Sequence, residues 1–137
     1  MQMQNEDLEF NEWNEVKKEI NKAKNKKYVE IKKIYWIKIG KNIGSEVFGK
    51  GRVFARPVLV INVFYNGLFL GVPLSSKTKN KSGKLYYKFT DEKGKIQVAL
   101  LGQIKIFDNK RKITFESSVK NEDFILIKEK IKKNIIN

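Results

Sequence analysis

Arg56-Pro57-Val58-Leu59-Val60-Ile61-Asn62-Val63-Phe64-Tyr65-Asn66-Gly67-Leu68-Phe69-Leu70-Gly71-Val72-Pro73-Leu74-Ser75 consists of two apolar runs joined by a turn dipeptide. Val58 to Val63 is β-branched and apolar enough to form a strand buried on both faces, and Leu68 to Leu74 reads the same way. Asn66-Gly67 supplies residues that tolerate the left-handed backbone of a tight hairpin turn. The stretch therefore predicts a β-hairpin. In a hairpin the start of one strand lies beside the end of the other, so Arg56 and Ser75 are expected at one edge of the sheet. A guanidinium beside a hydroxyl suits a phosphate.

Upstream of this hairpin, Tyr28 to Ile39 is apolar at nearly every second position and then at both, which predicts a first strand. The loop from Gly40 to Gly51 contains four glycines, at 40, 44, 49 and 51, and is followed by Arg52. Its composition lets the backbone come close to a phosphate, and Gly44, Ser45, Glu46, Lys50 and Arg52 are its candidate binding residues. It reads equally well as a plain connection.

Downstream, Ser76, Lys77, Lys79, Lys81 and Lys84 form a basic turn, after which Leu85, Tyr87 and Phe89 alternate with Tyr86 and Lys88 as a strand. Lysines beside tyrosines suit single-stranded RNA, which is gripped by phosphate neutralisation and base stacking, and Tyr87 is the stacking candidate. The competing role is a solvated loop with tyrosines half-packed on the core. Asp91 to Lys95 predicts a hairpin turn, and Ile96 to Phe107 a strand interrupted by a bulge at Gly102. Asp108 to Arg111 reads as one helical turn, Ile113 to Phe115 as a last short strand. Asn121 is the expected N-cap of a final helix that turns Phe124, Ile127, Ile131 and Ile135 inward and Lys128, Lys130, Lys132 and Lys133 to solvent.

Residues 5 to 26 predict a further helix, with Phe10, Trp13, Val16 and Ile20 on one face. The charged run from Asn21 to Lys27 marks a boundary, giving residues 1–27 as a helical N-terminal extension and 28–137 as the main domain. The helix is expected to pack on the main domain. Its acidic residues Glu6, Asp7, Glu9, Glu12 and Glu15 offer a second role, covering a basic groove, which Lys17, Lys18, Lys22 and Lys24 oppose.

The 137 residues carry 29 basic against 15 acidic side chains, a formal net charge of +14. Such a field attracts polyanions, and nucleic acid is the first candidate partner. Lysine is also the usual solubilising residue, so part of the excess has that simpler explanation. There is no cysteine and no histidine. Disulfides, zinc sites built on thiolate or imidazole, and histidine acid–base chemistry are thereby excluded. No metal and no cofactor is expected. No apolar run reaches membrane-spanning length and the N-terminus is acidic, so a cytoplasmic protein with no membrane partner is expected. By pattern alone the fold is mainly β (α+β), five or six short strands with a C-terminal helix.

Four blocks in order, Asn42-Ile43-Gly44-Ser45-Glu46, Arg56-Pro57-Val58-Leu59-Val60, Val72-Pro73-Leu74-Ser75-Ser76-Lys77 and Gln103-Ile104-Lys105-Ile106-Phe107-Asp108, resemble the MazF/PemK/Kid family. The resemblance implies an SH3-like barrel of the MazF/CcdB-like toxin type, here with an N-terminal helical extension and a C-terminal helix. It also implies the toxin of a type II toxin–antitoxin system, a homodimer that cleaves single-stranded RNA and is neutralised by an antitoxin. Against a chain of +14, the inhibitory segment of that antitoxin should be acidic, extended and aromatic.

Cleavage without a metal requires the RNA's own 2′-hydroxyl to attack the adjacent phosphorus, so the enzyme must move protons and stabilise a phosphorane. In the MazF-like branch the working pair is the Arg of Arg-Pro and a Thr at the position of Ser75, so Arg56 and Ser75 are the catalytic candidates. Arg56, directly before Pro57, matches better than Arg52. In the Kid-like branch an Arg and an Asp shortly before a Gln act as acid and base. Leu100 and Gly102 stand there, before Gln103, and can do neither; Ser45 stands where that branch has a His. Glu46 remains as a possible base or as a cap of its loop. Gln103 is carried over as an RNA-binding residue. The rival class is a non-catalytic module of the same barrel, either an RNA binder or a CcdB-like inhibitor acting by protein contact.

Overall fold

The computed structural model describes residues 27–40 and 54–137. The expected helix at 5–26 and the glycine-rich loop with Gly44, Ser45, Glu46, Lys50 and Arg52 lie outside the described residues. The described residues form seven strands where five or six were expected: β1 (Lys33–Lys38), β2 (Ala55–Val63), β3 (Leu68–Ser75), β4 (Tyr86–Thr90), β5 (Ile96–Leu100), β6 (Lys105–Asp108) and β7 (Lys112–Ser118), followed by helix α1 (Asn121–Ile131).

The predicted hairpin is β2–β3, with Val58 opposite Pro73 and Val63 opposite Phe69. Gly67 takes φ +84°, the left-handed conformation the turn demands and a side chain would resist. Around this hairpin the strands order as β4-β5-β3-β2-β1-β7, all neighbouring pairs antiparallel, with β6 also on β3. The sheet curls until its ends meet, where the Glu92 N–H donates to Ser118 O at 2.9 Å.

Alternation along β2 and β3 gives both faces apolar side chains, so two cores result. Inside the curl, Ile34, Leu59, Val72, Leu74, Phe89, Ala99 and Leu101 meet Phe124, Ile127 and Ile131 of α1. On the opposite face, Tyr35, Ile37, Val58, Val60, Phe69 and Phe107 form the second cluster, with the Phe69 and Phe107 rings stacked at 5.5 Å. Burial on both faces holds for Val58 to Ile61; Asn62 and Val63 are exposed, because the bulge at Ile61 carries β2 past the body of the sheet.

The first strand begins later than its apolar pattern predicts. Lys32 adopts φ +78° in a turn, and Glu30 N–H donates to the Tyr35 hydroxyl, so Tyr28 to Lys32 is held by turn and side-chain bonds. The break at Gly102 is a 3-10 turn, Leu101–Gln103, where a bulge was expected. Its cause is that one edge of β3 serves two strands: between Ala99 opposite Leu74 and Lys105 opposite Gly71, the chain takes six steps while β3 takes three. The turn absorbs the excess. The last strand runs the full width of β1, from Lys112 to Ser118, well beyond the expected Ile113 to Phe115.

Asp108 caps the short turn at Asn109–Arg111, its side chain accepting from Lys110 N–H at 2.8 Å. In α1 the expected cap fails: Lys120 occupies the N-cap without a side-chain bond, and Asn121 is already helical. Its Oδ1 is taken by the Lys32 ammonium. Glu122 and Asp123 occupy the first turn, where the helix dipole favours them. Lys130 leaves solvent to donate to Tyr86 O at 2.6 Å, tying α1 to β4. Among the described residues no helix is long and apolar enough to cross a membrane.

Candidate active site

The β2–β3 register carried two residues past Val58 and Pro73 sets Arg56 opposite Ser75. Both sit at the end of the hairpin away from its turn, on the face bearing Ile37 and Val58, outside the α1-capped interior. The structure thus brings together the two residues that the hairpin reading predicted to be neighbours.

Arg56 is half-buried, and its Nη1 donates to Leu74 O at 3.3 Å. That bond crosses the hairpin and orients the guanidinium along the strand ends. Burial lowers the Arg56 pKa, although arginine's reserve is large enough that the group stays cationic. A partly desolvated cation binds an anion more strongly than a fully hydrated one, because less water has to be removed.

Ser75 is 6 % exposed. Its Oγ accepts from Lys77 N–H at 3.1 Å and donates to Lys77 O at 3.4 Å, so the hydroxyl fastens the start of the next loop. The donor bond is at the long limit for hydroxyls, and its proton can turn to an incoming phosphate oxygen at small cost. Ser76, Lys77 and Lys79 follow on an exposed loop, and Asn80 and Gly83 bend it with φ +63° and +102°. Residues 76–85 carry four lysines and no acid.

The structure does not bring Tyr87 to this edge. Tyr87 lies opposite Ala99, which lies opposite Leu74, and all three face the interior. Its ring packs with Phe89 at 6.4 Å and its hydroxyl donates to Asp123 Oδ1 at 2.7 Å, the role of a residue packed against the core. Burial, and then the Asp123 bond, push its pKa up to about 12. Nothing local announces Asp123 as partner, 36 residues away.

Leu100 is 4 % exposed, and Gly102 is exposed but has no side chain, so this part of the chain presents no acid or base. Gln103 closes the 3-10 turn, half-buried. Leu74 O, which steers Arg56, and the Lys77 backbone, which steers Ser75, are parts of the site that sequence reasoning missed; backbone acceptors leave no trace in residue identity.

The fold agrees with that of solved toxins. MazF from Deinococcus radiodurans (Form-I) superposes with a TM-score of 0.63 at 19% identity, covering 77% of this chain and 94% of that one. The MazE-MazF structure (Form-II) from the same organism gives 0.57 at 16% identity, covering 77% and 92%. The Mycobacterium tuberculosis toxin MazF-mt6 gives 0.56 at 11% identity, covering 76% and 96%. No curated protein matches the sequence. The family model described as "PemK-like, MazF-like toxin of type II toxin-antitoxin system" matches residues 30–135. With that match spanning every strand and the whole of α1, the chain belongs to the PemK-like, MazF-like family of type II toxin–antitoxin toxins.

Proposed function

We propose that the chain is a metal-independent endoribonuclease that cuts single-stranded RNA, leaving a cyclic phosphate and a 5′-hydroxyl. The observation that carries this reading is the far end of the β2–β3 hairpin, where a half-buried guanidinium and a hydroxyl lie on one sheet face ahead of a loop of lysines. Arg56 offers parallel N–H donors to the non-bridging phosphate oxygens and stabilises the charge that grows on them as the 2′-hydroxyl attacks. Ser75 positions the phosphate or that hydroxyl. Glu46, outside the described residues, is the carboxylate available as base. The working form is a cytoplasmic homodimer, and its inhibitor is an antitoxin whose acidic, extended segment takes the place of RNA. The similar fold of the Deinococcus radiodurans MazE-MazF structure supports a paired antitoxin.

Leu100 and Gly102, neither of which carries an acid or a base, favour a second reading, an RNA binder of the same barrel without turnover. Incubating the purified protein with mixed RNA in EDTA separates the two. Fragments ending in a cyclic phosphate support the nuclease; intact RNA at micromolar protein rules it out.

A further inference from the structure

Six strands can be read across in one row. Lys88 on β4 stands opposite Val98 on β5, and Val98 opposite Ser75 on β3. Arg56 comes next by the register of β2 and β3, then Ile37 on β1 opposite Arg56, then Lys112 on β7 opposite Ile37. Residues directly opposite in antiparallel strands project to one face. The row therefore carries a cation at each end and the Arg56–Ser75 pair at its middle.

The two ends are not equivalent. The Lys112 ammonium donates to Tyr28 O at 2.8 Å and lies 5.0 Å from the Tyr35 ring centroid, so it is committed to the fold. Ile37, between it and Arg56, is fully buried. Lys88 is exposed and has no hydrogen-bond or ion-pair partner among the described residues. The nearest acid on its strand's turn, Asp91, is buried, its carboxylate accepting from Lys93 N–H, Lys95 N–H and Gln97 Nε2. Two strand spacings separate the backbones of Lys88 and Ser75, about 10 Å, a gap a four-carbon lysine stem shortens readily. Val98, 0 % exposed, leaves no competing charge between them.

We infer that Lys88 binds a phosphate adjoining the one held at Arg56 and Ser75, so that RNA crosses the sheet transversely, from β2 toward β4, alongside the lysine-bearing loop of residues 76–85. This rests on the reading that RNA is the substrate. Lys88 supplies charge to the backbone of the strand and reads no base.

The test measures binding of a single-stranded oligonucleotide with 2′-O-methyl sugars, which cannot be cut, as salt is raised. One lost phosphate contact on a single strand makes the slope of log affinity against log salt shallower by about 0.7. Lys88→Gln should show that change, and Lys88→Arg should restore the slope. Lys133→Gln, an exposed lysine in the C-terminal turn, removes the same net charge and should leave the slope alone. A Lys88→Gln slope equal to that of Lys133→Gln overturns the inference, as does failure of the wild type to bind. If the Lys88-dependent slope holds while unmodified RNA stays intact, the nuclease reading falls and the binding path stands. If RNA is cut and the slope is unmoved, the path falls alone.

Discussion

Ser75 and Tyr87 both carry hydroxyls, and their surroundings give them opposite duties. At Ser75 the hydroxyl fastens the Lys77 backbone, accepting from its N–H at 3.1 Å and donating to its carbonyl at 3.4 Å. Ser75→Ala removes it and should lower the cleavage rate about a hundredfold, while Ser75→Thr should retain most of the rate; steady-state cleavage of a fixed RNA checks both. Tyr87 donates to Asp123 across the interior, so Tyr87→Phe should cost about 1–3 kcal/mol of stability by denaturant titration and leave RNA binding unchanged. The pH dependence has a definite sign. With its pKa raised from 10.0 to about 12, folded Tyr87 keeps its proton where the unfolded chain has lost it. Its contribution is fully present below pH 10 and is lost as pH rises toward 12, so the stability gap between wild type and Tyr87→Phe should narrow over that window. Arg56 beside Ser75 was legible because a hairpin fixes which ends meet. The interior place of Tyr87 was half legible, since it alternates with Phe89, but its polar partner on a distant helix was not.

At the scale of elements, Gly71 leaves no room for a side chain between β2, β3 and β6. A Cβ there would lie 2.5 Å from Val58 Cγ1, 3.0 Å from Phe69 and 3.2 Å from Phe107. Valine is too short and stiff to swing aside, so Gly71→Ala should destabilise by about 1–3 kcal/mol. Gly67→Ala, with open space around it but φ +84°, should cost about 1–2 kcal/mol through backbone conformation alone. Denaturation midpoints of the two variants compare clash with strain. The hairpin was readable because its signals are local, two apolar runs and Asn66-Gly67. The division of one β3 edge between β5 and β6 was not. It depends on where non-neighbouring segments land, and Gly102 marked only that the strand breaks. Asn121 misled for a similar reason, since Lys32, 89 residues earlier, takes the side chain that would have capped the helix.

For the whole molecule the governing quantity is +14, to which the loop that follows Ser75 contributes four lysines and no acid. Neutralising about three phosphates of a single strand should weaken RNA binding roughly tenfold or more as salt rises fourfold, a dependence that filter binding or anisotropy reads directly. An acidic antitoxin segment should compete for the same face and lose affinity with salt in parallel. The charge, the mainly β architecture and the C-terminal helix were legible in composition and periodicity. The closure of the curled sheet through Glu92 and Ser118 was not, because it joins a turn to a strand end remote in sequence. Arg56 carries most of the proposed chemistry, because lysine cannot reproduce its forked donors although it keeps the charge. The measurement is the rate of cleavage of one single-stranded RNA in EDTA by wild type, Arg56→Lys and Arg52→Lys. A loss of roughly a hundredfold to a thousandfold in Arg56→Lys, with Arg52→Lys near wild type, is the expected result. Normal cleavage by Arg56→Lys would contradict the account.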